Sequence, residues 1–308
     1  MKKIVVIGSI NTDMVVRSSQ IPSPGQTLMG HSFISTGGGK GANQAVAASR
    51  LGGNVTLIGK VGDDSFGKLS IKNFTDEKIN TQFIYTDEKE PSGVAFIVVD
   101  DKGENIIVVA PGANATLNEK DIKNAEEQIK ECDAILFQLE IPLATVEAGM
   151  KFAKQYSKTI ILNPAPAAEL SDTLLSHVDI IVPNQSEAHL LTNIVVSDVY
   201  TASKACDVLH SKGIETVIIT MGEQGAYISS TQYKNLIPGF KAGKVVDTVA
   251  AGDTFCGALT IALAEGKKIN EAVRFANAAA AISVTRQGAQ TSTPYRNEVD
   301  ELLVNEFN

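Results

Sequence analysis

Short runs of aliphatic, mostly β-branched residues punctuate the chain at Ile4–Ile10, Val55–Gly59, Ala134–Leu139, Thr159–Leu162, Asp179–Pro183 and Thr216–Thr220. None alternates with polar positions, so each predicts a strand covered on both faces. Between these runs the apolar positions fall at helical spacing: Asn43–Leu51, stopped by Gly52-Gly53, then Ser65–Lys78, Leu143–Tyr156 and Thr201–Lys212. Strand and helix in alternation imply an α/β fold, a doubly wound, mainly parallel sheet sandwiched by helices. The last third reads as helix over Ala251–Glu265, Asn270–Thr285 and Pro294–Val304.

Two stretches break the rhythm. Residues 14–35 carry Pro22, Pro24 and Gly25 without helical periodicity, and 94–110 reads as two strands around the turn Asp100-Asp101-Lys102-Gly103. Together they predict a small β-sheet projecting from the main one as a lid, inserted in a single α/β domain spanning 1–308. No internal repeat or low-complexity segment divides the chain.

Composition then narrows the function. The 308 residues carry 27 Lys+Arg against 35 Asp+Glu, a net charge of −8, with a pI near 5.1 and no Lys/Arg-rich block. Affinity for a phosphate backbone or an anionic bilayer comes from basic patches, so neither nucleic acid nor a membrane is an expected partner. A small anion needs only a local site. No apolar stretch approaches the roughly 18 residues of a spanning helix. Met1-Lys2-Lys3 and the apolar run behind it have the ingredients of an export signal. That run is short, lacks an A-x-A site and continues into Asn11 and Asp13, which suits a first strand better. Cys132, Cys206 and Cys256 form no C-x-x-C pair, and His31, His177, His189 and His210 show no metal-ligand spacing. A reducing compartment, the cytoplasm, is therefore expected.

Four segments carry chemistry. Gly37-Gly38-Gly39-Lys40-Gly41-Ala42-Asn43 precedes an Ala-rich helix, where glycines let backbone approach a ligand and the helix N-terminus offers free N–H groups. It is no Walker A loop, because Gly41 follows Lys40 where Ser or Thr is required and Ile34 stands where the first Gly belongs. Gly37, Gly39 and Ala42 satisfy G-x-G-x-x-A, yet the segment does not follow the first strand, as a dinucleotide fingerprint would. Asp247-Thr248-Val249-Ala250-Ala251-Gly252-Asp253 opens a second helix. Its small residues leave first-turn amides open to a developing negative charge, and Asp253 stands beside them to take a proton from an attacking hydroxyl. An N-capping Asp alone does not call for Ala-Ala-Gly. Asn184-Gln185-Ser186-Glu187 follows the strand ending at Pro183, where open α/β sheets bind ligands, and also reads as a plain helix start. Thr220-Met221-Gly222-Glu223-Gln224-Gly225 suits a phosphate- or ribose-contacting turn and equally a simple β-turn.

Taken together, Gly38–Asn43 and Asp247–Asp253 resemble the two signatures of the ribokinase-like carbohydrate kinases, in the right order, and Asn184–Glu187 resembles that family's N-x-x-E motif. The resemblance covers essentially the whole chain. Gly8-Ser9-Ile10-Asn11-Thr12-Asp13, Pro24-Gly25-Gln26-Thr27, Gln138-Leu139-Glu140, Asn163-Pro164-Ala165-Pro166 and Thr285-Arg286-Gln287-Gly288-Ala289-Gln290 look like its ribose-phosphorylating members. It implies transfer of the γ-phosphoryl group of ATP to the 5-hydroxyl of D-ribose. Asp253 would be the base, in an anion hole formed by Ala250, Ala251, Gly252 and Asp253. The implied sugar contacts are Asn11, Asp13, Gly39, Lys40, Gly41, Asn43 and Glu140. The implied nucleotide contacts are Asn184, Thr220, Gly222, Gly225, Gly252 and Asn277, with Glu187 holding Mg²⁺ through water. A K⁺ site is implied at Asp247, Val249, Ser283, Arg286, Gly288 and Ser292, with Val249 where those members often have Thr. A homodimer through the lid strands is implied as well. The alternatives within the fold are a deoxyribokinase, a fructokinase or a nucleoside kinase, and outside it a non-catalytic sugar or nucleotide sensor. Cys256 reads as a packed core thiol, and the Ala276–Ala281 run as a tightly packed helix with Asn277 as its contact.

Overall fold

The computed structural model describes residues 1–305, so the last three residues of the expected 1–308 domain lie outside it. In chain order the strands are β1 (Lys3–Ile7), β2 (Asn11–Arg17), β3 (Ser32–Gly38), β4 (Asn54–Gly62), β5 (Ile84–Asp87), β6 (Gly93–Val99) and β7 (Asn105–Ala110). They continue as β8 (Ala134–Phe137), β9 (Thr159–Leu162), β10 (Ile180–Ile181), β11 (Thr216–Thr220), β12 (Ala226–Ser229) and β13 (Lys234–Ile237). Nine of them form the main sheet in the order β13-β12-β11-β10-β9-β8-β1-β4-β5, and β3-β2-β6-β7 form a separate small sheet. From β11 to β5 the pairing is parallel, as the unbroken apolar runs predict. Strand order reverses at β1, which lies between β4 and β8, and ligands of such sheets bind beyond the strand ends at that reversal.

Successive side chains of β1 explain why its run carries no polar alternation. Ile4 and Val6 pack into one core with the helices Lys40–Arg50, Ala251–Ala264 and Ile269–Ser283, while Val5 and Ile7 pack into another with Leu143–Lys154 and Val199–Ser211. Both faces of the strand are dry.

Three strands escape the sequence reading. β5 is only four residues long, and β12 and β13 add an antiparallel edge to a sheet expected to be parallel. The expected first strand, Ile4–Ile10, stops at Ile7: the Gly8–Ser9 backbone meets the 40–50 helix, and the chain then enters the small sheet at Asn11 rather than at residue 14.

The Gly37–Asn43 loop follows from that crossing. A Cβ on Gly41 would stand 2.6 Å from the Gly8 carbonyl carbon and the Ser9 nitrogen, and one on Gly39, where φ is 87°, would stand 2.6 Å from the Asn11 nitrogen. These glycines let two backbones cross, a different reason from the close ligand approach expected. The helix also starts at Lys40 rather than Asn43, because its cap comes from elsewhere. Lys40 N–H donates to Glu140 Oε2 at 3.0 Å, across 100 residues of sequence.

Candidate functional site

Two cavities open beyond the C-terminal ends of the parallel strands. The smaller, about 210 Å³, is bordered by Asn163, Asn184, Glu187, Thr220, Gly252 and Cys256 among others. The larger, about 770 Å³, lies between the body and the small sheet and is bordered by Asn11 and Asp13 at the start of β2 and by Gly39, Asn43 and Glu140. Lys40, Thr248, Ala250 and Asp253 border both. The two spaces therefore meet at Asp253.

Asp253 is in the first turn of the 251–264 helix and is 6% exposed. Its Oδ2 accepts from Asn43 Nδ2 at 3.0 Å and its Oδ1 from Gln44 Nε2 at 2.9 Å. Gln44 is itself fixed, since its Oε1 accepts from Gln138 Nε2 at 2.6 Å and its Nε2 reaches Asn163 Oδ1 at 3.0 Å. Neutral amides thus hold the carboxylate in one orientation without cancelling its charge. Ala250, before the helix, sits in the left-handed region at φ 58°, a strain that non-glycine residues rarely carry. The amides of Gly252 and Asp253 have no carbonyl one turn earlier in the helix to bond, and a Cβ on Gly252 would meet nothing within 4 Å. An open, electropositive helix end faces the smaller cavity.

Glu140 accepts from Ser9 Oγ at 2.6 Å as well as from Lys40 N–H. Burial pushes the Asp13 carboxyl up to about 7; the nearby Glu140 and Asp253 add to this, and Lys40 opposes it. Burial alone would depress the Lys40 ammonium, but Asp253, Glu140 and Glu187 outweigh it and hold its pKa above the ordinary value. Asn43 Oδ1 is buried without a hydrogen-bond partner while Asn43 borders the larger cavity. A hydroxyl donor would satisfy it.

At Asn184 the bland expectation and the functional one coincide. Asn184 caps the Gln185–Thr192 helix through Glu187 N–H, and the Glu187 carboxylate returns bonds to Asn184 N–H and Nδ2, each at 2.9 Å. Both residues nonetheless border the smaller cavity. Burial raises the Glu187 carboxyl, assisted by Asp253 and opposed by the Asn184 N–H bond and by Lys40.

Other expected residues are placed differently. Thr220 reaches the smaller cavity, but Gly222 and Gly225 belong to a turn closed by Met221 N–H to Gly225 O at 2.8 Å and border neither space. Asn277 also borders neither; its Nδ2 donates to the carbonyls of Ile237 and Pro238 at 3.0 and 3.1 Å and braces the end of β13. Asp247 ties two loops together by accepting from Val249 N–H and Gly288 N–H, both at 3.0 Å. Around it, Ser283 and Ser292 donate to carbonyls three residues back and Arg286 pairs with Glu298. Cys256 is buried, and burial, with Asp253 and Glu187, drives its thiol pKa well up, as an unreactive core cysteine requires.

Sequence reasoning missed Gln44, Ser9 and Asn114 as parts of the site. Ser9 and Gln138 stood in quoted family-like segments, but a polar residue inside such a segment does not reveal which carboxylate it will orient.

Asp13 carries a pH prediction. With its folded pKa above its unfolded one, the folded state binds the extra proton between about pH 4 and 7, so this group's contribution to stability falls as pH rises through that window. The ligand-free protein should also gain kcat/KM as Asp13 ionises near pH 7 for any substrate whose hydroxyls it holds, since a carboxylate accepts from two hydroxyls. A kcat/KM profile from pH 5.5 to 8.5 measures this, and Asp13→Asn should flatten the inflection.

A buried carboxylate between an open helix end and a polar, carboxylate-lined cavity points to a class: an α/β protein suited to bring an anionic ligand to a small polyol. Comparison with known proteins agrees. Residues 1–296 match the pfkB family carbohydrate kinase model. A ribokinase of Haemophilus influenzae is 48% identical over 302 residues, covering 98% of each chain, and a ribokinase of Bacillus subtilis is 44% identical over 303 residues, covering 98% of this chain and all of the relative. The structure of an Arabidopsis thaliana ribokinase complexed with ribose and ATP superposes with a TM-score of 0.91 at 31% identity, covering 98% of this chain and 99% of that one. The chain belongs to the pfkB family of carbohydrate kinases.

Proposed function

We propose that this chain is a ribokinase, transferring the γ-phosphoryl group of ATP to the 5-hydroxyl of D-ribose, with Asp253 as the base. The observation that carries the reading is the position of Asp253 where the two cavities meet, its carboxylate pinned by Asn43 and Gln44. ATP phosphates occupy the smaller cavity against Asn184, Thr220 and the 250–253 amides, and ribose the larger, against Asn11, Asp13, Gly39, Asn43 and Glu140; Gly41, expected among the sugar contacts, borders neither space and packs on Gly8 and Ser9 instead. In the transfer the O5–Pγ bond forms, the bond from Pγ to the β-phosphate oxygen breaks, the O5 proton passes to Asp253, and ADP leaves. Little proton abstraction is needed early in a loose transition state, so positioning dominates. Lys40 and the open amides stabilise the charge on the transferring group.

The donor set suits two cations. Glu187 accepts two bonds from Asn184 and keeps lone pairs toward the cavity, so it can hold Mg²⁺ through water. Mg²⁺ when bound supplies neutralisation of phosphate charge. K⁺ suits the loops tied by Asp247, a hard-oxygen environment of carbonyls around Val249, Ser283, Arg286, Gly288 and Ser292. Of the described residues, none forms a helix long and apolar enough to cross a membrane; the cytoplasm is the compartment proposed, since its reducing conditions suit three buried free thiols.

The small sheet is the lid and the dimer surface. Its inner positions, Val15, Ala95, Ile97, Ile107 and Val109, border the larger cavity, while Phe33, Phe96, Ile106 and Val108 are exposed on its outer side. An exposed apolar sheet face with two free edges calls for a partner, and a second copy of the lid is self-complementary. Light scattering should give twice the chain mass, and Phe96→Glu with Val108→Glu should give monomers that lose sugar affinity; monomeric wild type would refute the dimer.

A coupled ADP-release assay over D-ribose, 2-deoxyribose, fructose and adenosine, run in KCl and then NaCl, tests the function. Turnover should require ribose and be faster in KCl. Turnover confined to a nucleoside, or none, would overturn the reading, and 2-deoxyribose is a necessary arm because a deoxyribokinase of Salmonella typhimurium is 38% identical over 304 residues.

A further inference from the structure

Resting on Asn11 as a sugar contact, we propose that Asn114 is the positioning residue that turns the Asn11 amide toward the sugar, and that it does so from the hinge of the lid. Asn114 stands in the short turn Gly112–Thr116 just past β7, is 1% exposed and borders neither cavity. Its orientation is dictated by backbone groups, which cannot exchange donor for acceptor. Oδ1 accepts from Ile10 N–H at 2.8 Å, and Nδ2 donates to the carbonyls of Ile10 and Pro111 at 2.9 and 3.0 Å. The remaining neighbour of Nδ2 is the Asn11 side chain at 2.8 Å. An amide nitrogen has only protons to offer, so the Asn11 atom that faces it is Oδ1. The Nδ2 of Asn11 is thereby the end left for the larger cavity, which Asn11 borders.

The same contacts tie the hinge. Ile10 and Asn11 are where the chain enters β2, Asn11 pairs with Gly93 at the start of β6, and Pro111 follows the end of β7. Gly93 leaves room for the pair, since a Cβ there would overlap both Asn11 Oδ1 and Asn114 Nδ2. One buried side chain thus sets the donor that reads a sugar oxygen and fastens the strands by which the lid leaves the body. The site consequently offers an N–H at Asn11 and selects a sugar oxygen able to accept there.

The near-isosteric Asn114→Asp keeps the acceptor for Ile10 N–H but places a carboxylate oxygen against Asn11 Oδ1, so the Asn11 amide reverses. The KM for ribose should rise about tenfold to a hundredfold while the KM for ATP and the affinity for ADP stay unchanged. Asn11→Ala should weaken ribose to a similar extent, and adding Asn114→Asp to it should change ribose affinity little, because one acts through the other. Additive effects, or an unchanged ribose KM in Asn114→Asp, would overturn the inference. If Asn114→Asp does not fold, Asn11→Asp decides it: the acceptor for Asn114 survives and the donor is lost, so ribose affinity should fall as far as in Asn11→Ala, and wild-type affinity would be the contrary result. An Asn11→Ala enzyme with normal ribose KM would instead remove the sugar-contact reading itself.

Discussion

Asp253→Asn should lower kcat by roughly 10²- to 10⁴-fold while nucleotide still binds, the range expected for loss of a positioned general base. The substitution removes a proton acceptor and little volume. One of the two amides holding Asp253 would then face an NH₂ group, but Asn43 has an unpartnered Oδ1 and can reverse to accept from it. Folding should therefore survive, and a thermal melt within a few degrees of wild type together with unchanged ADP affinity by calorimetry would separate catalysis from stability. Near-normal kcat would sink the assignment of the base.

Gly252→Val should separate the two properties in a different way. A Cβ at 252 meets no protein atom within 4 Å, so the variant has no clash to relieve, and replacing glycine inside a helix removes conformational freedom from the unfolded chain. The Tm should hold or rise slightly. The added methyls nevertheless occupy the space in front of the 250–253 amides, the proposed seat of the transferring phosphoryl group. Losing access to preorganised donors costs about 10²- to 10³-fold in comparable sites, and kcat/KM for ATP should fall by that order. A variant that keeps its ATP kinetics would show that the helix end is not the anion hole.

Much of the site was legible because its chemistry is carried by short segments whose residues are neighbours in sequence. Gly39 to Asn43, Asn184 to Glu187 and Ala250 to Asp253 each sit at a helix start, so local order alone puts amides and carboxylates together. Asn184 follows the parallel strand β10, whereas the other two segments converge because the 40–50 and 251–264 helices pack together and Asn43 and Gln44 bond Asp253. Expectations fared less well where a residue's partner is remote. The reason for the glycines changed once Gly41 was found against Gly8 and Ser9, and Asn277 turned out to brace β13. Strands β12 and β13 were missed because only pairing, of β12 with β11 and of β13 with β12, gives such short segments their identity.

The sequence by itself determined the layered α/β fold, through apolar runs that have no polar face, and it determined the candidate base, because Asp253 follows small residues at a helix start. The tertiary structure alone decided how those groups are aimed. Asn43 and Gln44 fix Asp253, Ser9 and Lys40 N–H fix Glu140, and Asn114 fixes Asn11, across separations of 210, 209, 131, 100 and 103 residues respectively. Hydrophobic periodicity is a local property of the chain, whereas the direction of a hydrogen bond depends on two groups that meet only after folding.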